Sequence, residues 1–180
     1  MRVADWIVEA LHQNGFDTVF MVTGGGAMHL NDAFSRHKSL TPVFFHHEQS
    51  AAMAAESYYR LIHRVAVLNV TTGPGGINAI NGVYGAYTDS LSMLVISGQV
   101  KNETYLKNYK TKLRQLGDQE VDITSMVKPI TKYAVTIKES SDIKIIMDKA
   151  IYLLENGRPG PVWIDVPIDI QSSLIDPKKL

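Results

Sequence analysis

The sequence predicts an α/β layer fold with a mainly parallel sheet. Short apolar runs rich in β-branched residues alternate with helix-period segments along the whole chain. These runs are apolar at nearly every position, which is typical of strands buried on both faces. With 180 residues, of which 45% are hydrophobic, the chain is long enough to bury a sizeable core.

The N-terminal part of the chain shows this alternation most clearly. Val3, Ile7 and Leu11 lie on one face of a predicted helix, which Gly15 ends. Each later apolar run stops at Gly or at polar residues, after which helical spacing or small residues resume. The predicted order is strand 18–22, a helix near 28–34, strand 42–45, helix 48–61, strand 65–70, helix 77–87 and strand 93–96.

The C-terminal part continues the alternation after an irregular stretch. Residues 99–120 are polar and show no period, so we predict a long functional loop there. A helix near 121–127, strand 133–137, helix 141–156 and strand 162–166 are predicted to follow. Residues 168–180 lose the pattern. We therefore predict one domain over residues 1–167 and, after it, a linker toward further domains.

Composition excludes several classes of function. Lys plus Arg and Asp plus Glu both number 18, so no net charge favours nucleic acid or an anionic membrane. The absence of Cys excludes disulfides and Cys-ligated metal sites. No long apolar stretch predicts a signal peptide or a membrane span, and we expect a cytoplasmic location.

Common nucleotide, metal and hydrolase motifs fail at identifiable positions. In the two glycine-rich breaks, the third glycine of a dinucleotide fingerprint is replaced by His29 and by Asn78. Neither a Gly-x-x-x-x-Gly-Lys phosphate loop nor a Gly-x-Ser-x-Gly nucleophile elbow is present. His47 and Glu48 begin like a zinc-protease helix, but Ala51 stands where the second His is required. We therefore predict no metal ligand in this chain.

Three polar or glycine-rich breaks follow three successive predicted strands, at residues 23–26, 46–49 and 71–76. Ligands of open parallel sheets bind at the carboxyl ends of the strands, so we expect these breaks to converge on one crevice. Glu48 lies where a strand runs into a helix at one of them. Taken alone, a Glu in a first helical turn usually only favours the helix dipole.

These residues, with several further blocks, resemble thiamine-diphosphate enzymes related to acetolactate synthase. The family carries a His-Glu-Gln-x-Ala-Ala-x-Ala-Ala-Glu segment, matched by residues 47–56, and a Thr-Ser-Gly-Pro-Gly-x-x-Asn turn, matched by residues 71–78. Further matches lie at residues 86–90, 98–100, 119–123 and 157–162. The blocks occur in the family's order and cover nearly the whole chain.

The resemblance implies a three-layer, doubly wound α/β fold with a six-stranded parallel sheet and helices on both faces. It implies that this domain binds the pyrimidine ring of thiamine diphosphate, while a second domain type holds the diphosphate and its Mg²⁺. That domain would belong to the same protein or to a partner subunit, in a homo-oligomer such as a dimer or tetramer. The family's middle domain, which binds FAD in some members, is not in this sequence, so FAD binding stays open.

The resemblance also implies roles for individual residues. Glu48 would be the catalytic carboxylate, which hydrogen-bonds ring N1′ and favours the tautomer that removes the C2 proton of the cofactor. For the glycines, tight backbone geometry alone is an equal alternative, as is a solvated loop position for Gln119. The implied cofactor-binding residues are Val22, Thr23, Gly24, Gly25, Thr71, Gly73, Pro74 and Asn78, and those implied near the substrate are Asp118 and Gln119.

Two positions depart from the family pattern. Thr23 stands where the family usually has Pro, which leaves a donor and more freedom in that loop. Asp118 stands where acetolactate synthases usually carry Phe. If Asp118 faces the substrate, the apolar wall has become acidic, and a more hydroxylated acceptor than pyruvate becomes possible.

The predicted reaction is pyruvate to acetolactate. The alternatives are a 2-oxo acid decarboxylase, a 2-hydroxyacyl lyase, or a non-catalytic binding module of the same fold. No Gly-Asp-Gly motif with a following Asn is present to hold Mg²⁺ and diphosphate, so we predict that the chain alone is inactive. We favour a fragment of a longer protein over a subunit of a split decarboxylase, because residues 178–180 resemble a linker.

Overall fold

A computed structural model describes all 180 residues and shows one six-stranded parallel sheet with helices on both faces. The predicted α/β three-layer fold is confirmed. The strands are β1 Thr18–Met21, β2 Thr41–Phe44, β3 Val67–Val70, β4 Met93–Gln99, β5 Tyr133–Thr136 and β6 Pro161–Pro167. The helices are α1 Val3–Gln13, α2 Met28–Arg36, α3 Glu48–Ile62, α4 Pro74–Thr88, α5 Ile123–Val127, α6 Ile143–Glu155 and α7 Ile168–Ser172.

The strand order places the reversal of the sheet beside the predicted crevice. In space the strands run β2-β1-β3-β4-β6-β5, so the chain winds outward from β1 to β2 and then crosses back to β3. In open parallel sheets the ligand crevice lies at the carboxyl ends of the strands where the winding direction reverses. Here that point is the junction of β1 and β3, directly before residues 22–26 and 71–76.

The two faces of the sheet carry different kinds of core. One face packs long aliphatic and aromatic side chains of α1, α2 and α6. The other packs α3, α4 and α5 and is rich in alanine. Ala52 and Gly82 explain the closeness of α3 and α4, because a Cβ at Gly82 would lie 2.5 Å from the Ala52 Cβ. The small residues of α3 therefore allow α4 to pack closely against it.

Residues 99–120 form the irregular loop that the sequence predicts. Two short 3-10 turns, Asn102–Thr104 and Leu106–Asn108, are its only helical segments. The strand before it is longer than predicted and continues to Gln99, because Ser97 and Gln99 pair with β6 although they are polar. Helix α4 likewise begins at Pro74, three residues before the prediction, since proline is well suited to a first helical position.

The C-terminal segment packs on the domain over part of its length. Helix α7 buries Gln171 completely, and Leu174 forms a β-bridge with Arg2. The sequence pattern missed α7 because five residues are too few to show a helical period. The role of the segment as a linker stays a prediction. None of the helices is both long and apolar enough to cross a membrane.

Candidate functional site

Glu48 opens α3 at the carboxyl edge of the sheet, four residues after β2 ends at Phe44. Its neighbour His47 is the N-cap, and the His47 Nδ1 accepts a hydrogen bond from the Gln49 amide at 3.2 Å. The Glu48 side chain is only 9% exposed, so its carboxyl group is largely removed from water. A negative charge is stabilised at a helix N-terminus, which offsets part of the cost of this burial.

The two carboxyl oxygens of Glu48 have different surroundings. Oε2 accepts a hydrogen bond from the Asn78 amide at 3.1 Å. Oε1 accepts none from the chain and is not among the fully buried polar atoms, so it reaches the protein surface. The Gly75 backbone faces this oxygen, and a Cβ there would lie 3.4 Å from it. One oxygen is thus fixed by the protein and the other is free to meet a ligand.

The turn between β3 and α4 requires glycine at residue 73. Gly73 has φ 60° and ψ −114°, a conformation that side chains strongly disfavour. A Cβ at this residue would also lie 2.1 Å from the carbonyl oxygen of Gln119. Tight backbone geometry therefore accounts for Gly73 by itself. The same contact brings the predicted substrate residue Gln119 against the predicted cofactor turn.

Thr71 joins this turn to residues 23–26 after β1, the glycine loop. Its Oγ1 accepts a hydrogen bond from the Gly26 amide at 3.1 Å, and a Cβ at Gly24 would lie 2.5 Å from the Thr71 Cβ. A Cβ at Gly25 would instead meet no atom within 4 Å, so this backbone borders open space. Together with the Asn78–Glu48 bond, these contacts show that the three breaks meet at one place on the carboxyl edge of the sheet.

Two asparagines that were not predicted from the sequence hold the glycine loop through hydrogen bonds. Asn69 on β3 donates to the Asn31 Oδ1 at 2.8 Å, and Asn31 donates to the Gly24 carbonyl at 3.1 Å. Asn69 is completely buried between Leu68 and Val70 in an otherwise apolar strand. A polar residue inside an apolar strand run was the available signal, because a buried amide needs a partner.

The two predicted substrate residues differ in their environment. Gln119 has a left-handed backbone, with φ 57°, which is uncommon for a residue other than glycine. Its side chain is exposed, while its carbonyl touches Gly73. The Asp118 carboxyl is exposed and makes no hydrogen bond or ion pair. Glu120, the residue after Gln119, closes the loop by accepting hydrogen bonds from the Leu106, Leu116 and Gly117 amides.

A second buried carboxyl group, Asp165, lies on β6 and was also missed. It accepts hydrogen bonds from Ser97 at 2.6 Å, from Gln99 at 3.0 Å and from Thr136 at 3.1 Å. Burial raises the pKa of Asp165 to about 7, although these three donors oppose the rise. The signal in the sequence was again one polar residue within an apolar strand, between Ile164 and Val166.

The carboxyl edge of the sheet around Glu48 offers polar groups to a ligand but no cluster of metal ligands. Of the glycines around it, Gly25 borders open space, whereas the Cβ positions of Gly24 and Gly75 are covered by the Thr71 side chain. Its polar groups are the free Oε1 of Glu48 and the Asn78 amide, which is exposed. No group of three or more His, Cys, Asp or Glu side chains is placed to hold a metal ion.

Comparison with known proteins decides the family. The family model described as "Thiamine pyrophosphate enzyme, N-terminal TPP binding domain" matches residues 1–126, which include Glu48, the 71–78 turn and the 118–119 pair. The chain belongs to this family. It is a thiamine-pyrophosphate-binding N-terminal domain like those of acetolactate synthase enzymes, and the resemblance inferred from the sequence is confirmed.

Three similar curated proteins are named as acetolactate synthases or their large subunits. Acetolactate synthase, chloroplastic, of Arabidopsis thaliana is 37% identical over 177 residues, which are 97% of this chain and 25% of that protein. The acetolactate synthase large subunits of Buchnera aphidicola subsp. Schizaphis graminum and of Lactococcus lactis are 38% and 37% identical, over 93% and 92% of the chain and 28% of each relative. The chain thus spans about a quarter of the length of these relatives.

Proposed function

We propose that this thiamine-pyrophosphate domain serves an enzyme that converts pyruvate to acetolactate, with Glu48 as its catalytic carboxylate. One observation carries the proposal. Glu48 is a largely buried carboxylate with one oxygen fixed by Asn78 and the other free, and it stands where three glycine-rich or polar strand ends meet. The names of the relatives support the reaction, since those proteins are called acetolactate synthases.

The side chains around the crevice suit the aminopyrimidine half of the cofactor. When bound, thiamine diphosphate supplies the electron sink that decarboxylation of a 2-oxo acid requires. Glu48 would share a proton with the ring nitrogen at its free Oε1, while Asn78 restrains the carboxyl group through Oε2. The backbone at Gly24, Gly25 and Gly75, with Val22, Thr23, Thr71, Gly73 and Pro74 around it, would form the walls.

The remaining half of the site lies outside this chain in the proposal. Mg²⁺ and the diphosphate would be held by a diphosphate-binding domain of the same protein or of a partner subunit, and the chain alone would be inactive. We further propose a homo-oligomer, a dimer or tetramer. Exposed apolar side chains on α3 and α4 support a partner there, namely Met53, Ile77, Tyr84 and Tyr87. Whether the whole protein also binds FAD is left open in the proposal.

Two finer points belong to the proposal. Asp118, exposed beside Gln119, would favour an acceptor with more hydroxyl groups than pyruvate. An Asp118→Phe variant whose ratio of rates for polar and apolar acceptors is unchanged would remove the basis for this. A cytoplasmic location also stays a prediction, and the Arabidopsis relative is named as chloroplastic.

The test uses the longest natural polypeptide that contains this chain, together with any partner subunit. Acetolactate formation from pyruvate, thiamine diphosphate and Mg²⁺ is compared between wild type and Glu48→Gln, with Glu9→Gln on α1 as the matched control. We expect the Glu48 variant to lose about 10²- to 10⁴-fold in kcat, the range for loss of a proton-transferring group. The control should keep wild-type activity.

Each other outcome has a distinct meaning. Equal activity of Glu48→Gln and wild type would contradict the role of Glu48. If neither protein forms acetolactate although both bind thiamine diphosphate, the reaction is wrong. The search then moves to other 2-oxo acids, to simple decarboxylation and to polar acceptors.

A further inference from the structure

Asp165 is a carboxyl group that the proposed chemistry does not use. It is 0% exposed and lies on β6 between β4 and β5, where Ser97 on β4 and Thr136 on β5 are its direct register partners. Both hydroxyls donate to it, and the Trp163 indole donates in turn to the Ser97 Oγ at 2.8 Å. The Ser97 and Thr136 hydroxyls therefore both donate to the Asp165 carboxyl group.

Stability alone does not explain an acidic residue at this position. Removing an ionisable group from water is costly, and replacing buried ion pairs by well-packed apolar residues is often neutral or stabilising. The same face of the sheet is otherwise filled by side chains such as Val95, Met93 and Trp163. A role in orienting the groups that are hydrogen-bonded to it explains the buried Asp165 carboxyl group better than stability does.

The group that Asp165 orients is the Gln99 side chain. The Gln99 Nε2 donates both to the Asp165 Oδ2 and to the Val121 carbonyl, each at 3.0 Å, and its Oε1 accepts from the Val100 amide at 3.0 Å. The Asp165 Oδ2 accepts one hydrogen of the Gln99 NH₂ group, which leaves the second hydrogen for the Val121 carbonyl. The Gln99 side chain thus bonds to Val100 near the start of the long loop and to Val121 directly after its end.

Val121 lies two residues after Gln119 in the chain. The left-handed backbone of Gln119 turns its carbonyl against Gly73, where a Cβ would lie 2.1 Å away. A continuous series of contacts therefore runs from Asp165 through Gln99 and Val121 to the cofactor turn.

We propose that Asp165 and Gln99 are positioning residues that hold the Gln119 segment against the Gly73 turn. They fix the substrate side of the crevice without touching substrate or cofactor. The catalytic meaning of this position rests on the proposed function. The tether itself does not, because it follows from the contacts within the chain.

The test replaces Gln99 by Met in the longest natural polypeptide that contains this chain. Methionine keeps the length of the side chain but removes all three amide hydrogen bonds. Hydrogen exchange at residues 117–122 should become faster. With thiamine diphosphate and Mg²⁺ present, kcat/KM for pyruvate should fall by roughly 10- to 100-fold, because small misplacements near a reacting centre reduce the rate by such factors. The affinity for thiamine diphosphate should change by less than about threefold, because Glu48 and Asn78 are untouched.

A matched control separates positioning from general destabilisation. Ser92→Ala also removes a buried hydrogen bond beside β4, from Ser92 Oγ to the Leu154 carbonyl at 2.9 Å, but at the opposite edge of the sheet. It should leave both the exchange rates and kcat/KM unchanged. Asp165→Asn keeps an oxygen that can accept from Gln99, so it should preserve most of the exchange protection at residues 117–122.

A double variant decides whether Gln99 acts through Gln119. If it does, Gln99→Met should reduce kcat/KM much less when Gln119 is already Ala than when Gln119 is present. Unchanged exchange in Gln99→Met, or full additivity of the two substitutions, would overturn the proposal. Full activity of Glu48→Gln would instead overturn the proposed function, and the exchange result would still decide whether the tether exists.

Discussion

Glu48 and Asp165 are both carboxyl groups near the carboxyl edge of one sheet, yet they lie in opposite environments. Glu48 is at a helix N-terminus with one oxygen bonded to Asn78 and the other reaching the surface. Asp165 is fully buried within three strands and accepts three hydrogen bonds from the chain. The first has unused capacity for a ligand and the second has its acceptor oxygens occupied by the protein.

This difference separates a group that can do chemistry from one that organises structure. A side chain that exchanges a proton with a ligand must keep an accessible atom, as Glu48 does. A side chain that fixes its neighbours is most effective when all its bonds are internal, as those of Asp165 are. By burial and charge alone, Asp165 would be the stronger functional candidate. The hydrogen bonds distinguish the two groups, because only Glu48 keeps an oxygen without a partner in the chain.

The largest effect that we expect is the pH dependence of the unfolding free energy caused by Asp165. Its pKa is raised from 3.8 to about 7, with burial as the main cause and the charge of Asp122 as a smaller one, while Tyr105 packs nearby as a neutral phenol. Between about pH 4 and 7 the folded protein therefore holds a proton that the unfolded chain has lost, so this contribution to stability falls as the pH rises. The full change is on the order of 4 kcal/mol.

Urea unfolding of the chain at about pH 4.5 and pH 7.5 measures this effect, and the difference should shrink strongly in Asp165→Asn. The uncharged control Ser92→Ala should keep the wild-type difference. A wild-type pH dependence that persists in Asp165→Asn would show that Asp165 does not titrate in this range, and the contrast between the two carboxyl groups would lose its electrostatic part.

Gly73 should show the next largest effect, because it links the two regions. Gly73→Ala meets both a positive φ and the Gln119 carbonyl, and we expect a loss of about 1–3 kcal/mol in unfolding free energy. Gly157→Ala is the matched control, since it has φ 74° but no atom within 4 Å of the added Cβ. Chemical denaturation of both variants isolates the contact with Gln119 as their difference. Equal losses of unfolding free energy would mean that the Gln119 carbonyl moves aside at little cost.

Asn78 should give the smallest of these effects. Asn78→Ala removes the only side-chain donor to Glu48, and we expect kcat to fall about tenfold, the equivalent of one hydrogen bond to a charged group. In a Glu48→Gln background the same substitution should have little further effect. Steady-state kinetics of the single and double variants measures the coupling. Independent effects would place Asn78 outside the Glu48 unit.

The sequence alone predicted those parts of the molecule that follow from local pattern. Glycine-rich breaks after apolar runs predicted the strand ends at residues 22–26 and 71–76, and their meeting with Glu48 followed from the parallel sheet. What it missed depends on long-range pairing. The partner of Asn69 lies 38 residues away in the chain and those of Asp165 lie 29 to 68 residues away, so no local window contains both members of a bond.

The central claim is that Glu48 activates the cofactor, and the most direct measurement is the rate of hydrogen–deuterium exchange at C2 of thiamine diphosphate bound to the complete protein. The measurement needs no substrate, so it is independent of which 2-oxo acid the enzyme uses. We predict that wild-type protein accelerates this exchange by orders of magnitude over free cofactor and that Glu48→Gln loses most of the acceleration while still binding the cofactor. Equally fast exchange in the two proteins would contradict the claim.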